Sequence, residues 1–218
     1  MAHIGSGGSW AFRGSDDPVL TARPSRIAPI FEVHAEQKPR ERLLLYAIVL
    51  ALAPARCLEI GVRFGGGARI IHAALSDLGR GVYVGVDPKP ELDFDWASIA
   101  DRCTLIAGYS PAALPEARDR AGGDFDFVFL DGDHNEAPTR ADLLGIAGVA
   151  APGAVVLCHD AYHEGVERAV AGVLREGVPF RDCGLIATTL NQGVYVDVRD
   201  GQEMKRTRYG GVRMLRRA

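Results

Sequence analysis

The run Phe125–Leu130, FDFVFL, constrains this chain more than any other stretch. Phe125, Phe127, Val128, Phe129 and Leu130 are large and apolar, and only Asp126 interrupts them. A run this short and this apolar reads as a strand buried on both faces of a parallel sheet. It stops at Asp131-Gly132-Asp133-His134. Two carboxylates and an imidazole therefore follow directly where the strand ends. Ligands of open α/β sheets bind at the carboxyl ends of the strands. Asp-Gly is also ordinary turn chemistry, so this stretch alone leaves a solvated acidic turn open.

The neighbouring stretches repeat the pattern. Arg56–Val62 reads as a strand closing on Glu59-Ile60-Gly61. Phe64-Gly65-Gly66-Gly67 follows, then a helix over 68–78. Such a glycine loop lets backbone approach a ligand at a helix N-terminus. Val82–Val86 is a second strand and ends at Asp87, an acid placed to accept hydrogen bonds from a ribose diol. Asp87 also opens the turn Asp-Pro-Lys-Pro. Thr104–Ala107 is a third strand, followed by Gly108-Tyr109-Ser110-Pro111 and an Ala-rich helix ending near Ala121. After the Phe125 strand comes a helix over 138–149. Ala154–Cys158 is a fifth strand and ends at His159-Asp160. Val166, Val170, Val173 and Leu174 give 165–176 a helical period.

Upstream, Pro39–Ala53 is a helix too apolar for the surface, expected against the sheet or at an interface. Downstream, Gly184–Leu190 and Val194–Val198 are strand-like, with Asn191-Gln192-Gly193 as a hairpin turn between them. The order predicts an α/β, Rossmann-like, doubly wound fold. Its sheet is mostly parallel and seven-stranded, with a C-terminal antiparallel hairpin.

A length of 218 residues fits one core. The expected layout is a mobile arm over 1–18 and a single domain over 19–218 with a basic C-terminal tail. Trp10 and Phe12 stand out in the arm and are candidates for docking on a neighbouring subunit. The net charge of −3 gives no whole-chain attraction to nucleic acid or an anionic membrane. Seven Lys/Arg crowd the last twenty residues, which read as solvated, with anion or partner binding second. Cys57, Cys103, Cys158 and Cys183 form no CxxC pair and read as reduced, mostly buried thiols of a cytoplasmic protein. The longest apolar run, Leu43–Ala53, is too short to span a bilayer, and no signal peptide is expected.

The glycine loop, Gly61-x-x-x-Gly65-Gly66-Gly67, is not GxGxxG, which removes the fingerprint of a nicotinamide oxidoreductase. Glu-x-Gly after strand one, Asp after strand two, Gly-x-Ser after strand three and Asp after strand four together resemble the class I S-adenosylmethionine (SAM)-dependent methyltransferases. The resemblance runs from about Arg56 to Val198. It implies that Glu59, Gly61 and Gly65 hold the methionine end of SAM, that Asp87 binds the ribose, and that Ser110 lies beside the adenine. Asp131 borders the same cofactor site.

FLDGDH with a later His-Asp pair is similar to the small metal-dependent O-methyltransferases of natural-product pathways, including the macrocin and cephalosporin types, and to catechol-type metal geometry. That resemblance implies Asp131 and Asp160 as metal ligands and His134 as general base. The catechol type carries Asn where Ala161 stands, and the sugar type carries Glu where His159 stands. The third ligand is therefore His159 or a water. Mg²⁺ is the first expectation, with Mn²⁺ and other divalent ions as alternatives, and a histidine ligand favours the softer ones.

The chemistry agrees with the resemblance. Methyl transfer needs an aligned and preferably ionised nucleophile, and a cation shared by two carboxylates lowers a hydroxyl's pKa. His134 reaches the same place as Asp131 and has an ordinary pKa near 6.5, suited to proton transfer. Asp133 reads as a turn acceptor, and Tyr162 and His163 as candidates for the acceptor's wall. The expected partner is a small hydroxylated metabolite, a sugar or a phenol, with a homo-oligomer as the assembly. The alternative is a cofactor-binding regulatory or scaffolding protein of the same fold without turnover.

Overall fold

The computed structural model describes residues 27–190, 195–199 and 202–218. The arm at 1–18, with Trp10 and Phe12, lies outside them, as does the turn Asn191-Gln192-Gly193.

The strands are β1 (Arg56–Ile60), β2 (Val82–Asp87), β3 (Cys103–Ala107), β4 (Phe125–Leu130), β5 (Ala150–His159), β6 (Phe180–Leu190), β7 (Tyr195–Arg199), β8 (Gln202–Thr207) and β9 (Gly210–Arg217). Seven of them form one sheet in the order β3-β2-β1-β4-β5-β9-β6. β1 to β5 run parallel, and β9 is antiparallel to both β5 and β6. The sheet reverses its winding between β1 and β4, the switch point at which ligands of such sheets bind.

Alternation along β4 builds two cores. Phe127 and Phe129 face one side, with Tyr46, Val49, Ile70 and Ile71 from α1 (Pro39–Leu52) and α2 (Gly66–Leu78). Val128 and Leu130 face the other, with Leu114, Leu143 and Val170 from α3 (Leu114–Ala121), α4 (Glu136–Val149) and α5 (Glu164–Arg175). All these side chains are at most 4% exposed, so the sheet is covered on both faces, as an apolar parallel strand demands. The expected burial of the apolar first helix holds through Leu45, Tyr46 and Val49, while Leu43 and Leu52 reach solvent.

The C-terminal antiparallel pair differs in its partners from the sequence expectation. Gly184–Leu190 belongs to β6, but its mate in the sheet is β9. Val194–Val198 falls largely in β7, which pairs with β8 in a separate two-stranded ribbon. The residues 210–217 of the basic tail are thus an interior strand. Val212 and Leu215 are buried, Arg213 pairs with Asp182, and Arg216 points to solvent. The arginines masked an alternation that supports a half-buried strand.

Leu215→Ala should cost about 2–4 kcal/mol in urea unfolding, as truncation of a buried leucine does. Arg216→Ala should stay within about 0.5 kcal/mol. Equal, small effects would return this segment to a solvated tail.

Candidate functional site

One cavity of about 1150 Å³ opens along the carboxyl ends of the parallel strands. Glu59 and Gly61 border it from β1, Asp87 from β2, Ser110 from the turn after β3, Asp131 and His134 from the loop after β4, and His159 and Asp160 from the end of β5. Of the cofactor candidates, Gly65 is the exception. It caps α2 in a left-handed conformation behind Phe94, and Gly66 and Gly67 line the cavity in its place.

The glycine loop is shaped by close approach. Gly61 has φ +87°, and a Cβ there would lie 2.2 Å from the carbonyl oxygen of Asp131. The two strand ends can therefore touch only through glycine. Gly67 packs its Cα over Glu59, where a Cβ would fall 2.2 Å from Oε1. Glu59 is 1% exposed and accepts a hydrogen bond from the Tyr83 hydroxyl. Burial pushes its carboxyl well above the ordinary range. Such a group gains from a cationic ligand beside it.

Asp87 serves the turn and the cavity at once. Its Oδ2 accepts the backbone N–H groups of Val62 and Arg63 at 2.8 Å, and Oδ1 accepts that of Lys89 at 2.7 Å. It fixes the loop after β1 while bordering the cavity. Farther along, Ser110 Oγ is buried without an aligned hydrogen-bond partner. Asp142 stands behind it, its carboxyl raised by burial and partly offset by that hydroxyl.

The deepest part is a cluster of acids and imidazoles. Leu130 of β4 pairs with Cys158 of β5, so the next residues, Asp131 and His159, come side by side. His159 is 5% exposed. Its Nδ1 lies 2.9 Å from Asp131 Oδ1 and 3.3 Å from Asp160 Oδ2. His134 Nε2 lies 2.9 Å from Asp160 Oδ2 and 3.7 Å from Asp131 Oδ1. One donor atom from each of Asp131, His134, His159 and Asp160 falls within 4.8 Å of all the others. Asp160 adopts φ +49°, a left-handed conformation that aspartate tolerates better than most residues, and its Oδ1 accepts the Gly210 N–H. The sheet register and this turn bring together the residues expected as metal ligands and base.

The charges are tightly coupled. Burial lowers the pKa of His134, but contact with Asp131 and Asp160 outweighs it and raises the value to about 9. Burial acts on His159 in the same sense, and the charge of Asp131 overrides it, so this imidazole is well above its ordinary value. Burial would raise Asp131 and Asp160. The charge of His159 and hydrogen bonds from both histidines hold Asp131 low, and those two hydrogen bonds do the same for Asp160.

Other residues of the site carried no signal in the sequence. Gln37 donates from Nε2 to Asp131 Oδ2 at 2.6 Å, and its buried Oε1 has no partner. Glu41, 2% exposed, places Oε2 3.2 Å from His159 Nε2. Tyr209 borders the cavity, with its ring edge-on to His134 at 5.6 Å between centroids. Tyr162 and His163 do not border it: Tyr162 packs on Gly211, and His163 caps α5. Asp133 is the turn acceptor expected, bonded to Asn135 N at 2.8 Å.

Residues 58–161 match a protein family described as a methyltransferase domain. The sheet order and these strand-end acids give the chain the Rossmann-like fold of class I methyltransferases. Solved structures share its fold at low identity. An O-methyltransferase from Bacillus cereus in complex with SAH is 16% identical with a TM-score of 0.62, over 95% of this chain and 94% of that one. The O-methyltransferase TomG from Streptomyces achromogenes, involved in tomaymycin synthesis and in complex with SAM, is 20% identical with a TM-score of 0.58, over 95% and 92%. SAH-bound methyltransferase PaMTH1 from Podospora anserina is 15% identical with a TM-score of 0.63, over 94% and 90%. No curated protein matches the chain. Among the described residues, no helix is long and apolar enough to cross a membrane.

The coupling predicts a pH profile for the protein in excess chelator. His134 stays protonated to about pH 9 against an ordinary 6.5, so its contribution is complete below about 6.5 and is lost as pH rises through 9. Asp131 and Asp160 are depressed, so theirs is present above about pH 4 and is lost on acidification. Urea-unfolding free energy should peak between about pH 4 and 6.5 and decline towards pH 9. A flat profile from 6.5 to 9 would show that the carboxylates do not hold His134.

Proposed function

We propose that this methyltransferase transfers the methyl group of SAM to a hydroxyl of a small metabolite, assisted by a divalent cation held by Asp131, His159 and Asp160. The observation that carries the reading is the four-residue donor cluster at the ends of β4 and β5, at the edge of a cavity that reaches all five parallel strand ends.

The residues fit SAM. Gly61 and Gly67 leave room for a ligand to come close to backbone, Asp87 is in reach of a ribose diol, and Ser110 borders the cavity farther along, where the resemblance puts the adenine. Glu59, costly to bury as an anion, is placed to accept from the cofactor's ammonium group. SAM supplies the electrophilic methyl. The residues also fit a cation. Two carboxylates stand within reach of one point and are balanced only by imidazoles. The set of two oxygen and one or two nitrogen donors suits Mn²⁺, Fe²⁺ or Zn²⁺, and accepts Mg²⁺ where water completes the shell. A divalent cation supplies a Lewis acid that lowers the acceptor hydroxyl's pKa.

The chain's own residues do the rest. Asp131 and Asp160 fix the acceptor's position through the shared charge. His134 receives the hydroxyl proton at Nε2, the atom that faces the cluster. Tyr209 gives the cavity an aromatic wall, which fits a phenolic ring or the apolar face of a sugar.

Titration calorimetry should detect SAM binding and no NAD binding; NAD binding alone would overturn the reading. Chelator should abolish turnover, and Mg²⁺ or Mn²⁺ should restore it; full activity in excess chelator would remove the metal. His134→Ala should keep SAM and metal affinity and lower kcat by about 10²–10⁴-fold, the usual worth of a positioned base. A loss under tenfold would move the proton to water.

A further inference from the structure

Glu41 sits on the first turn of α1, far from His159 in sequence, yet almost wholly enclosed beside it. Its oxygens are all acceptors. Oε1 takes the N–H of Gly211 at 3.0 Å, and Oε2 takes the N–H of Lys38 at 2.9 Å. Backbone N–H groups can only donate, so both oxygens of this carboxyl act as acceptors. His159 Nε2 faces Oε2 at 3.2 Å and finds nothing there but an acceptor. The opposite nitrogen, Nδ1, looks into the acidic cluster, between Asp131 and Asp160.

We propose that Glu41 is a positioning residue that holds the proton of His159 on Nε2, so that Nδ1 is the nitrogen offered to a cation, and that this makes the site prefer Mn²⁺ or Zn²⁺ over Mg²⁺. The proposal rests on the metal reading above and deepens it. The geometry is asymmetric in the way this requires. The Nε2 side meets the Glu41 carboxyl, which two backbone donors hold in place. The Nδ1 side opens onto two carboxylates whose oxygens belong to the four-residue donor set. A carboxylate behind an imidazole fixes the tautomer and ring orientation and raises the basicity of the ligating nitrogen. A nitrogen ligand in turn favours borderline ions over Mg²⁺.

Gln37 makes the pattern more specific. It lies one turn earlier and donates from Nε2 to Asp131 Oδ2. Gln37 just before α1 and Glu41 in its first turn thus give a partner to two of the three ligands, one directly after β4 and one at the end of β5. Gln37 Oε1 remains buried and unpartnered, bordering the same cavity. A bare tether between α1 and the sheet would not need its two polar side chains to end on those two groups.

The test is metal binding to the full chain without acceptor, by calorimetry with Mn²⁺ and with Mg²⁺. The parent should bind Mn²⁺ more tightly. Glu41→Gln should weaken Mn²⁺ by about 10–100-fold, the usual effect of removing such a partner, and Mg²⁺ by less. His159→Asn should weaken Mn²⁺ as well, and adding Glu41→Gln to it should change little more, because Glu41 acts through His159. Additive losses, or Mn²⁺ affinity unchanged in Glu41→Gln, would overturn the role of Glu41 and leave the metal site standing. A parent that binds neither ion would overturn the metal reading itself, and this role with it. A measurement on the parent alone guards against a Glu41 variant that does not fold. Nitrogen-15 spectra of the Zn²⁺-loaded protein should show His159 with its hydrogen on Nε2. A hydrogen on Nδ1 would overturn the proposal without any substitution.

Discussion

The structure depends on one electrostatic constraint: acids collect where the parallel strands end, and something positive must sit among them. Asp131 and Asp160 come together because β4 and β5 run side by side in register, and Glu59 and Glu41 are buried close behind. Unpaired carboxylates in such a setting cost several kcal/mol each. His159 and His134 are therefore held protonated, one well above its ordinary range and one at about 9. The apolar sheet supplies the rigidity that keeps the charges from moving apart.

That rigidity is assembled from distant parts of the chain. Gly61 and Asp131 meet backbone to backbone, and Asp131 N donates to the Ile60 carbonyl at 2.8 Å. Gly210 and Gly211, at the start of β9, give their N–H groups to Asp160 and Glu41. The Gly211 and Gly210 carbonyls accept from Ala161 and Tyr162 at 3.1 Å. The start of β9 thus closes the site from one side and the start of α1 closes it from the other. Local opening of either end of the fold would expose the cluster, although neither belongs to the four-residue donor set.

How much of this was legible in the sequence depends on the range of the interaction. The five parallel strands announced themselves, because a strand buried on both faces must be apolar and its polar terminus stands out. Asp87, Ser110, Asp131, His134, His159 and Asp160 were named by that rule, and all six border the cavity. Gly65 was expected there too, but Gly66 and Gly67 line the cavity in its place, since glycines in a row do not say which one faces it. The last strand was hidden by Arg213, Arg216 and Arg217, whose charges suggested a tail while Val212 and Leu215 carried the burial. Gln37, Glu41 and Tyr209 were not legible at all. They act through contacts across the fold, and a glutamate in a helix's first turn already has an ordinary reason to be there: Glu41 also accepts the Lys38 N–H.

The raised imidazole values and the proposed base role look contradictory, since a histidine protonated to about pH 9 accepts no proton at neutrality. Charge counting removes the conflict. Asp131, Asp160 and Glu41 bring three negative charges, and two imidazolium rings return two positive ones. A divalent cation carries the same two positive charges. Exchanging the two ring protons for one cation leaves the buried charge unchanged, so the exchange does not add the Born penalty that loading a neutral site would. On the proposed reading, a cation shared by Asp131 and Asp160 would leave them holding His134 less firmly, which would return its Nε2 towards the range in which it can take a proton. Proton and cation would then compete for the same pair of carboxylates. His134 would serve as the base only with the cation bound, which would confine proton transfer to the state that also binds the hydroxyl.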